Sequence, residues 1–526
     1  MIRPALLSLQ RLLILATAGC ALLPAHVDRS PTSALKDTAQ TRISRTVLPL
    51  TGAHPQESGA YALFSARDAF AARWTLASNA ERSLDVQYYI WHPDTSGSLM
   101  AHALREAAER GVRVRVLLDD ANTSGLDEDI AAIASHPNIQ VRLFNPFANR
   151  SWRAGDFVGD FGRVNRRMHN KSFTADNRVT VVGGRNIGDE YLGAESRVAF
   201  SDLDLMVIGP VVDEVSAAFD AYWNSASAYP VASLLPAPSA AALAEIEDKW
   251  ARRRNERMAA DYLEATRKLS LVERMQSGTL PLAWGPARVL SDDPAKVLGT
   301  SGRGDAGVQG DLRAAFGMPQ RELLLVSPYF VPGQGGSAML AELAARGIRV
   351  SVLTNSLAAT DVPATYAGYL RYRDLLLRAG VHVYELKPSV RATVVADSHE
   401  DREDRGRGMP GSSGGSSTAS LHAKTFVVDR QRVFVGSYNL DPRSARLNTE
   451  MGVVMDNPEL AGQLADTFDT YIAQDAYELR VDGGGAVTWI EHTAAGEVSH
   501  ASAPGTGALR IWWVHLLGML PIEWLL

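Results

Sequence analysis

The nine residues Met168-His169-Asn170-Lys171-Ser172-Phe173-Thr174-Ala175-Asp176 return on the same frame as Leu421-His422-Ala423-Lys424-Thr425-Phe426-Val427-Val428-Asp429. Each copy sets His, Lys and Asp at offsets of zero, two and seven, and continues seven residues past its Asp into a small-residue turn. The turns are Gly183-Gly184-Arg185-Asn186 and Gly436-Ser437-Tyr438-Asn439. Side chains alternate across an extended chain, so His169 and Lys171 face one side, as do His422 and Lys424. Positive charge here is carried mainly by arginine; the chain has seven lysines, and two of them stand two residues after a His in matching frames. Such a repeat marks two halves that each give one imidazole and one positive charge to a shared site.

The flanking elements repeat as well. Leu84 to Trp91 reads as a strand, Met100 to Arg110 as a helix and Val112 to Leu118 as a strand. Leu323 to Phe330, Ala338 to Arg346 and Ile348 to Leu353 follow the same order. The junctions match: Ala108-Glu109-Arg110-Gly111-Val112 against Ala344-Ala345-Arg346-Gly347-Ile348. Each is a βαβ unit, which implies a largely parallel, covered sheet. Ser58 is expected to cap a helix bearing Leu63, Phe70, Trp74 and Ala77.

The expected fold is α/β, an internal duplication with two pseudo-symmetric α/β/α halves, mainly parallel sheets and one shared active site. Residues 60–231 form the first half and 286–480 the second, joined by a helical connector over 232–285. The run Arg252-Arg253-Arg254 in that connector reads as a solvated helix face. A charged, Gly/Ser-rich insert at 397–420 stands directly before His422, either a surface loop or a lid.

At 526 residues and 46% hydrophobic content the chain can bury several cores. Its net charge of −6 provides no global basic field, which argues against non-specific nucleic-acid binding. Residues 1–20 resemble a targeting segment, with Arg3 and Arg11 before a short apolar run that ends on Cys20, the only cysteine. Cys20, after Ala18 and Gly19, resembles a lipoprotein-type cleavage and lipidation site, although Thr17 stands where Leu is usual; an ordinary signal peptide and an uncleaved interfacial anchor are the alternatives. Residues 21–59, rich in Pro, Ser, Thr and Ala, read as a linker. Residues 481–526 form a tail whose Trp-rich apolar end suits either a bilayer interface or docking on the body. These features point to the bacterial cell membrane or envelope, with a periplasm-facing lipoprotein as one form.

Two His-Lys pairs suit phosphodiester chemistry. A neutral imidazole can displace an ester oxygen to form a phosphohistidine. A second His can protonate the leaving alcohol and then deprotonate the incoming one. Lys171 and Lys424 would hold the non-bridging oxygens, with Asn186, Ser437 and Asn439 as further donors to the phosphate. Asp204 and Glu450, each following its motif and preceding an apolar strand, are expected to fix the His tautomers. Asp176 and Asp429, counted with the catalytic motif, read as its structural members. No clustered His/Asp/Glu set calls for a metal, and no cofactor is expected.

The paired frame resembles the signature of the phospholipase D superfamily over roughly residues 60–477. The stretches Gly183 to Tyr191, Gly436 to Ser444, Asn448 to Gly452 and Leu520-Pro521-Ile522-Glu523 resemble its bacterial cardiolipin synthase C-like branch. The resemblance implies that His169 is the nucleophile and His422 the acid/base. It also implies a phosphatidyltransferase that makes cardiolipin from phosphatidylglycerol and a second phospholipid, with phosphatidylethanolamine a candidate. The alternative is a hydrolase releasing phosphatidic acid, and more remotely a nuclease. Both motifs lie in one chain, so oligomerisation is not required to complete the site.

Overall fold

In the computed structural model, which describes residues 23–194, 198–299, 307–388 and 418–526, the duplicated sequence forms two sheets of matching strand order. The first half contributes β1 (Ser58–Leu63), β2 (Ser83–Tyr88), β3 (Arg113–Asp119), β4 (Ile139–Phe144), β5 (Ser172–Ala175), β6 (Val179–Gly183), β7 (Val198–Ser201), β8 (Asp204–Ile208) and β9 (Ala228–Pro230). After β10 (Ala283–Gly285), the second half supplies β11 (Ala287–Ser291), β12 (Glu322–Val326), β13 (Arg349–Asn355), β14 (His382–Leu386), β15 (Thr418–Leu421), β16 (Thr425–Val428), β17 (Arg432–Gly436), β18 (Met451–Asp456) and β19 (Ala476–Val481). The order β1-β8-β6-β5-β2-β3-β4-β9 in one sheet is repeated as β11-β18-β17-β16-β12-β13-β14-β19 in the other.

The two-halved α/β architecture is as expected, but the sheets are mixed rather than mainly parallel. The helical crossovers make β2, β3 and β4 parallel, as they do β12, β13 and β14. The strands that follow each His-x-Lys are instead antiparallel hairpins, β5-β6 and β16-β17. Their three-residue connections, 176–178 and 429–431, place Asp176 and Asn177 at φ 49°, and Asp429 and Arg430 at φ 54°, the consecutive left-handed pair of a primed turn.

Among the described residues four apolar clusters result, the smallest around Phe144, Phe219 and Trp223. Of the other three, one lies within each half, and the third lies between them, where Val182, Leu205 and Val207 meet Val427, Val435 and Val453. Burying apolar side chains from both sheets in one core fixes the halves face to face. A parallel ribbon of β7 and β15 adds backbone pairing across the same boundary.

Several boundaries differ from the sequence reading. Within the expected linker, residues 23–59 pack on the first half: Thr32 O accepts from Arg115 at 3.0 Å, Ala34 N donates to Asp220, and helix Arg42–Ala53 buries Ile43 and Val47. Sparse apolar residues concealed a helix whose one buried stripe is an i, i+4 pair. Ser58 begins β1 rather than capping a helix, and Ser65 caps helix Ala66–Asn79 instead. The connector helices cover the first half, burying Tyr262 and Leu263, while Arg252 pairs with Asp248 at the surface. In the expected tail, β20 (Val487–Thr493) and β21 (Gly496–His500) extend the second sheet, and helix Ala508–Gly518 buries Val514 in the second core. No helix among the described residues is long and apolar enough to cross a membrane. Cys20 lies outside the described residues, as does all of the 397–420 insert except Thr418 to Ser420, which open β15.

Candidate active site

Each His-x-Lys segment runs beside the partner half's backbone. His169 N donates to Thr449 O at 2.9 Å and His422 N to Ser201 O at 2.8 Å. The residue after each acceptor is a carboxylate, and the side-chain bonds cross between halves in the same way. His169 Nδ1 meets Glu450 Oε2 at 2.9 Å, and His422 Nδ1 meets Asp202 Oδ2 at 2.6 Å. Each lysine turns back onto its own motif: Lys171 Nζ donates to His169 O at 2.5 Å, and Lys424 Nζ donates to His422 O. Tyr89 stands edge-on to His169 and Tyr191 edge-on to His422, with ring centroids 5.0 and 5.1 Å apart.

Burial sets the electrostatics, since a desolvated site disfavours charge on groups that lack a close partner. It lowers His169 to about 4, against the pull of Glu450 and with help from Lys171 and Lys424. Burial likewise lowers Lys171 to about 7 and Lys424 to about 8. His422 also lies below its ordinary value through burial and the Lys424 charge, with Asp202 opposing. The carboxylates go the other way. Burial would raise Glu450, but His169 and Lys171 hold it below the usual range, and His422 and Lys424 do the same for Asp202. Both carboxylates therefore remain ionised, and each accepts an N–H from its imidazole.

Asp204 is not the orienting residue for His422. It is fully buried, opposite Gly183 in the sheet, and bonds Arg73 Nη2 at 2.9 Å with Arg185 nearby. Asp202 takes the role. Gly436 pairs with Gly452 and Gly183 with Asp204, so counting back two residues from each partner gives Glu450 and Asp202. The sequence carried that signal in Glu450-Met451-Gly452-Val453 beside Asp202-Leu203-Asp204-Leu205. The reading also missed Asp292, which accepts from Glu450 N at 2.9 Å and so fixes that carboxylate's backbone.

The remaining candidates divide. Asn186 is buried, with Oδ1 accepting from Ile90 N at 3.1 Å. Asn439 is also buried, and its Oδ1 has no hydrogen-bond partner among the described residues. The Ser437 hydroxyl donates to Glu450 Oε2 and accepts from Met451 N, so it braces the carboxylate instead of serving as a free phosphate donor.

Asp176 and Asp429 lie at the hairpin turns, away from the imidazoles. Asp176 accepts from the backbone N–H groups of Glu81, Arg82 and Ser83, and Asp429 from those of Gln320, Arg321 and Glu322. They pin each hairpin to the strand beside it. Asp176→Ala is expected to lower stability by on the order of 3 kcal/mol, measured from the denaturant midpoint, with activity per folded molecule retained.

Among the described residues no group of His, Cys, Asp and Glu is placed to hold a metal. A family model described as cardiolipin synthase, PLD-like domain, matches residues 75–223 and 312–472, one segment around each motif. The chain belongs to this phospholipase D-like family. Its family relatives include cardiolipin synthase C of Escherichia coli, 45% identical over 92% of this chain and all of that one. Cardiolipin synthase A of Pseudomonas syringae is 26% identical over 80% of this chain and 71% of that one. The crystal structure of phosphatidylserine synthase from Haemophilus influenzae shares the fold, with a TM-score of 0.52 and 17% identity over 84% of this chain and 92% of that one.

Proposed function

We propose that the chain is a membrane-associated phosphatidyltransferase that makes cardiolipin through a phosphohistidine intermediate. The observation that carries the mechanism is the crossed pairing of His169 with Glu450 and His422 with Asp202 beside two buried lysines. Similarity over the full length of cardiolipin synthase C supports the product. The substrates are phospholipids, with phosphatidylglycerol as acceptor and phosphatidylglycerol or phosphatidylethanolamine as donor. Attachment through the N-terminal segment at Cys20 would keep the site beside its lipids.

With the Nδ1 hydrogen directed to Glu450, His169 presents an unprotonated Nε2 to the site. That lone pair attacks the donor phosphorus. The phosphorus–oxygen bond to the head group breaks, and His422 Nε2 gives its proton to the departing oxygen. In the second half-reaction His422 removes the proton from a hydroxyl of phosphatidylglycerol. The alkoxide oxygen then bonds to phosphorus and displaces His169. Lys171 and Lys424 neutralise the non-bridging oxygens, and Asn186 and Asn439 border the same phosphate.

In this scheme His422, Lys171 and Lys424 must carry protons while His169 must not. Burial lowers all four, so kcat/KM is expected to fall as pH rises towards 8, and to fall at low pH only as His169 titrates near 4. A bound phosphodiester anion raises the pKa of the three proton carriers, so the alkaline limb of kcat should lie at higher pH than that of kcat/KM. A kcat/KM that stays flat to pH 10 would contradict this assignment.

The test of function is product analysis of purified protein with phosphatidylglycerol vesicles, with and without phosphatidylethanolamine. Cardiolipin is the expected product. Phosphatidic acid with free head group and no cardiolipin would identify the enzyme as a hydrolase.

A further inference from the structure

Two segments far apart in sequence leave large apolar side chains uncovered, and they meet. In the first half, the stretch leading into the His169 motif exposes Trp152 by 61%, Phe157 by 43% and Val158 by 87%. At the other end of the chain, Trp512 is 60% exposed, Met519 79% and Trp524 51%. Phe161, 40% exposed, joins the two, its ring centroid 6.4 Å from that of Phe157 and 6.4 Å from that of Trp524. Isolated exposed apolar residues are ordinary, but a continuous patch built from two elements marks a contact surface.

One residue ties this surface to the chemistry. Arg443, in the short helix Pro442–Arg446 that follows Asn439, donates through Nη1 to Asn165 O at 3.0 Å, through Nη2 to Asn165 Oδ1 at 2.9 Å and through Nε to Leu525 O at 2.9 Å. Asn165 stands four residues before His169, and Leu525 directly follows Trp524. The apolar face is thereby fixed to the nucleophile's side of the site.

Charge narrows the choice of partner. Residues 150–167 hold five arginines against two aspartates, but Arg150, Arg153, Arg163 and Arg167 are neutralised by ion pairs with Asp127, Asp120, Asp160 and Asp119, so the face presents little uncompensated charge of either sign. The two carboxylates that accompany the face and reach solvent are ion-paired, Asp160 with Arg163 and Glu523 with Arg371. Exposed aromatic residues whose neighbouring charges are paired match the interfacial layer of a phospholipid bilayer, which the phosphatidylglycerol of the proposed reaction makes anionic.

We propose that Trp152, Phe157, Val158 and Phe161 join the tail at Trp524 to form one face that inserts into an anionic phospholipid bilayer and seats the site on its substrate. The proposal rests on the reading that the substrate is a phospholipid.

The test uses the full chain and two readouts. Val158→Trp is mixed with vesicles of phosphatidylglycerol carrying brominated acyl chains, and the quenching of its emission is compared with that of the parent protein. The added indole is expected to be quenched; an unquenched signal overturns the proposal. Phe157→Asp with Val158→Asp is then assayed on phosphatidylglycerol vesicles and on a short-chain phosphatidyl ester below its micelle concentration. The vesicle rate should drop at least about tenfold while the monomeric rate is preserved within about twofold. Equal loss on both substrates, or a lipid-free dimer abolished by the aspartates with no quenching, overturns docking in favour of a folding effect or a second copy. Quenching without phospholipid turnover would support docking and count against the functional reading instead.

Discussion

Replacing His169 by Ala is expected to lower turnover by at least about four orders of magnitude for every donor lipid, because the proposed mechanism assigns the covalent intermediate to this imidazole alone. The loss from His422→Ala should depend on the leaving group. A head-group alkoxide leaves poorly without a proton, so natural donors would be nearly inert. A donor bearing p-nitrophenol needs no acid, and the His422→Ala enzyme is expected to release one equivalent of it in a burst and then stall. The stall follows because the acceptor hydroxyl still lacks its base. Stopped-flow absorbance reads both phases. A His169→Ala enzyme that produced the same burst would reverse the roles of the two imidazoles.

The second large effect separates two aspartates that stand two residues apart. Asp202→Asn keeps the shape of the side chain but removes the charge that holds the Nδ1 hydrogen of His422, at 2.6 Å. A loss of about two to four orders of magnitude in kcat is expected, with the denaturant midpoint little changed. Glu450→Gln should behave alike through His169. Asp204→Asn should do the opposite. It leaves Arg73, 1% exposed, without its ion-pair partner, which is expected to cost about 3–5 kcal/mol of stability while activity per folded molecule persists. Kinetics and unfolding measured on all three variants would show whether this division holds.

The contrast shows what could be read from the chain alone. The motif repeat is local, and its duplication exposed the two-halved α/β organisation and the four residues His169, Lys171, His422 and Lys424. The carboxylate partners are not local. Each comes from the opposite half, so their identity depends on how β8 and β18 pair with β6 and β17. In an extended stretch Asp202 and Asp204 face the same side, and only sheet register distinguishes them. The expectation of parallel sheets failed for a related reason, since βαβ patterning describes three strands of each half and is silent on where the motif hairpin inserts. Residues 23–59 misled because a polar, Pro-containing segment can be ordered by hydrogen bonds to body residues such as the buried Arg115 and the half-buried Asp220, which composition does not register. The apolar face arises only when the tail folds back, as the contact between Phe161 and Trp524 shows.

The measurement that bears most directly on the shared-site mechanism is the position of the covalent phosphatidyl group. The His422→Ala enzyme, stalled with the activated donor, is quenched under mildly alkaline conditions that preserve a phosphoramidate, digested and mapped by mass spectrometry. The phosphatidyl mass is expected on the peptide that contains His169, at close to one equivalent per chain. A mass on another residue, or sustained p-nitrophenol release with no modified peptide, would contradict the mechanism.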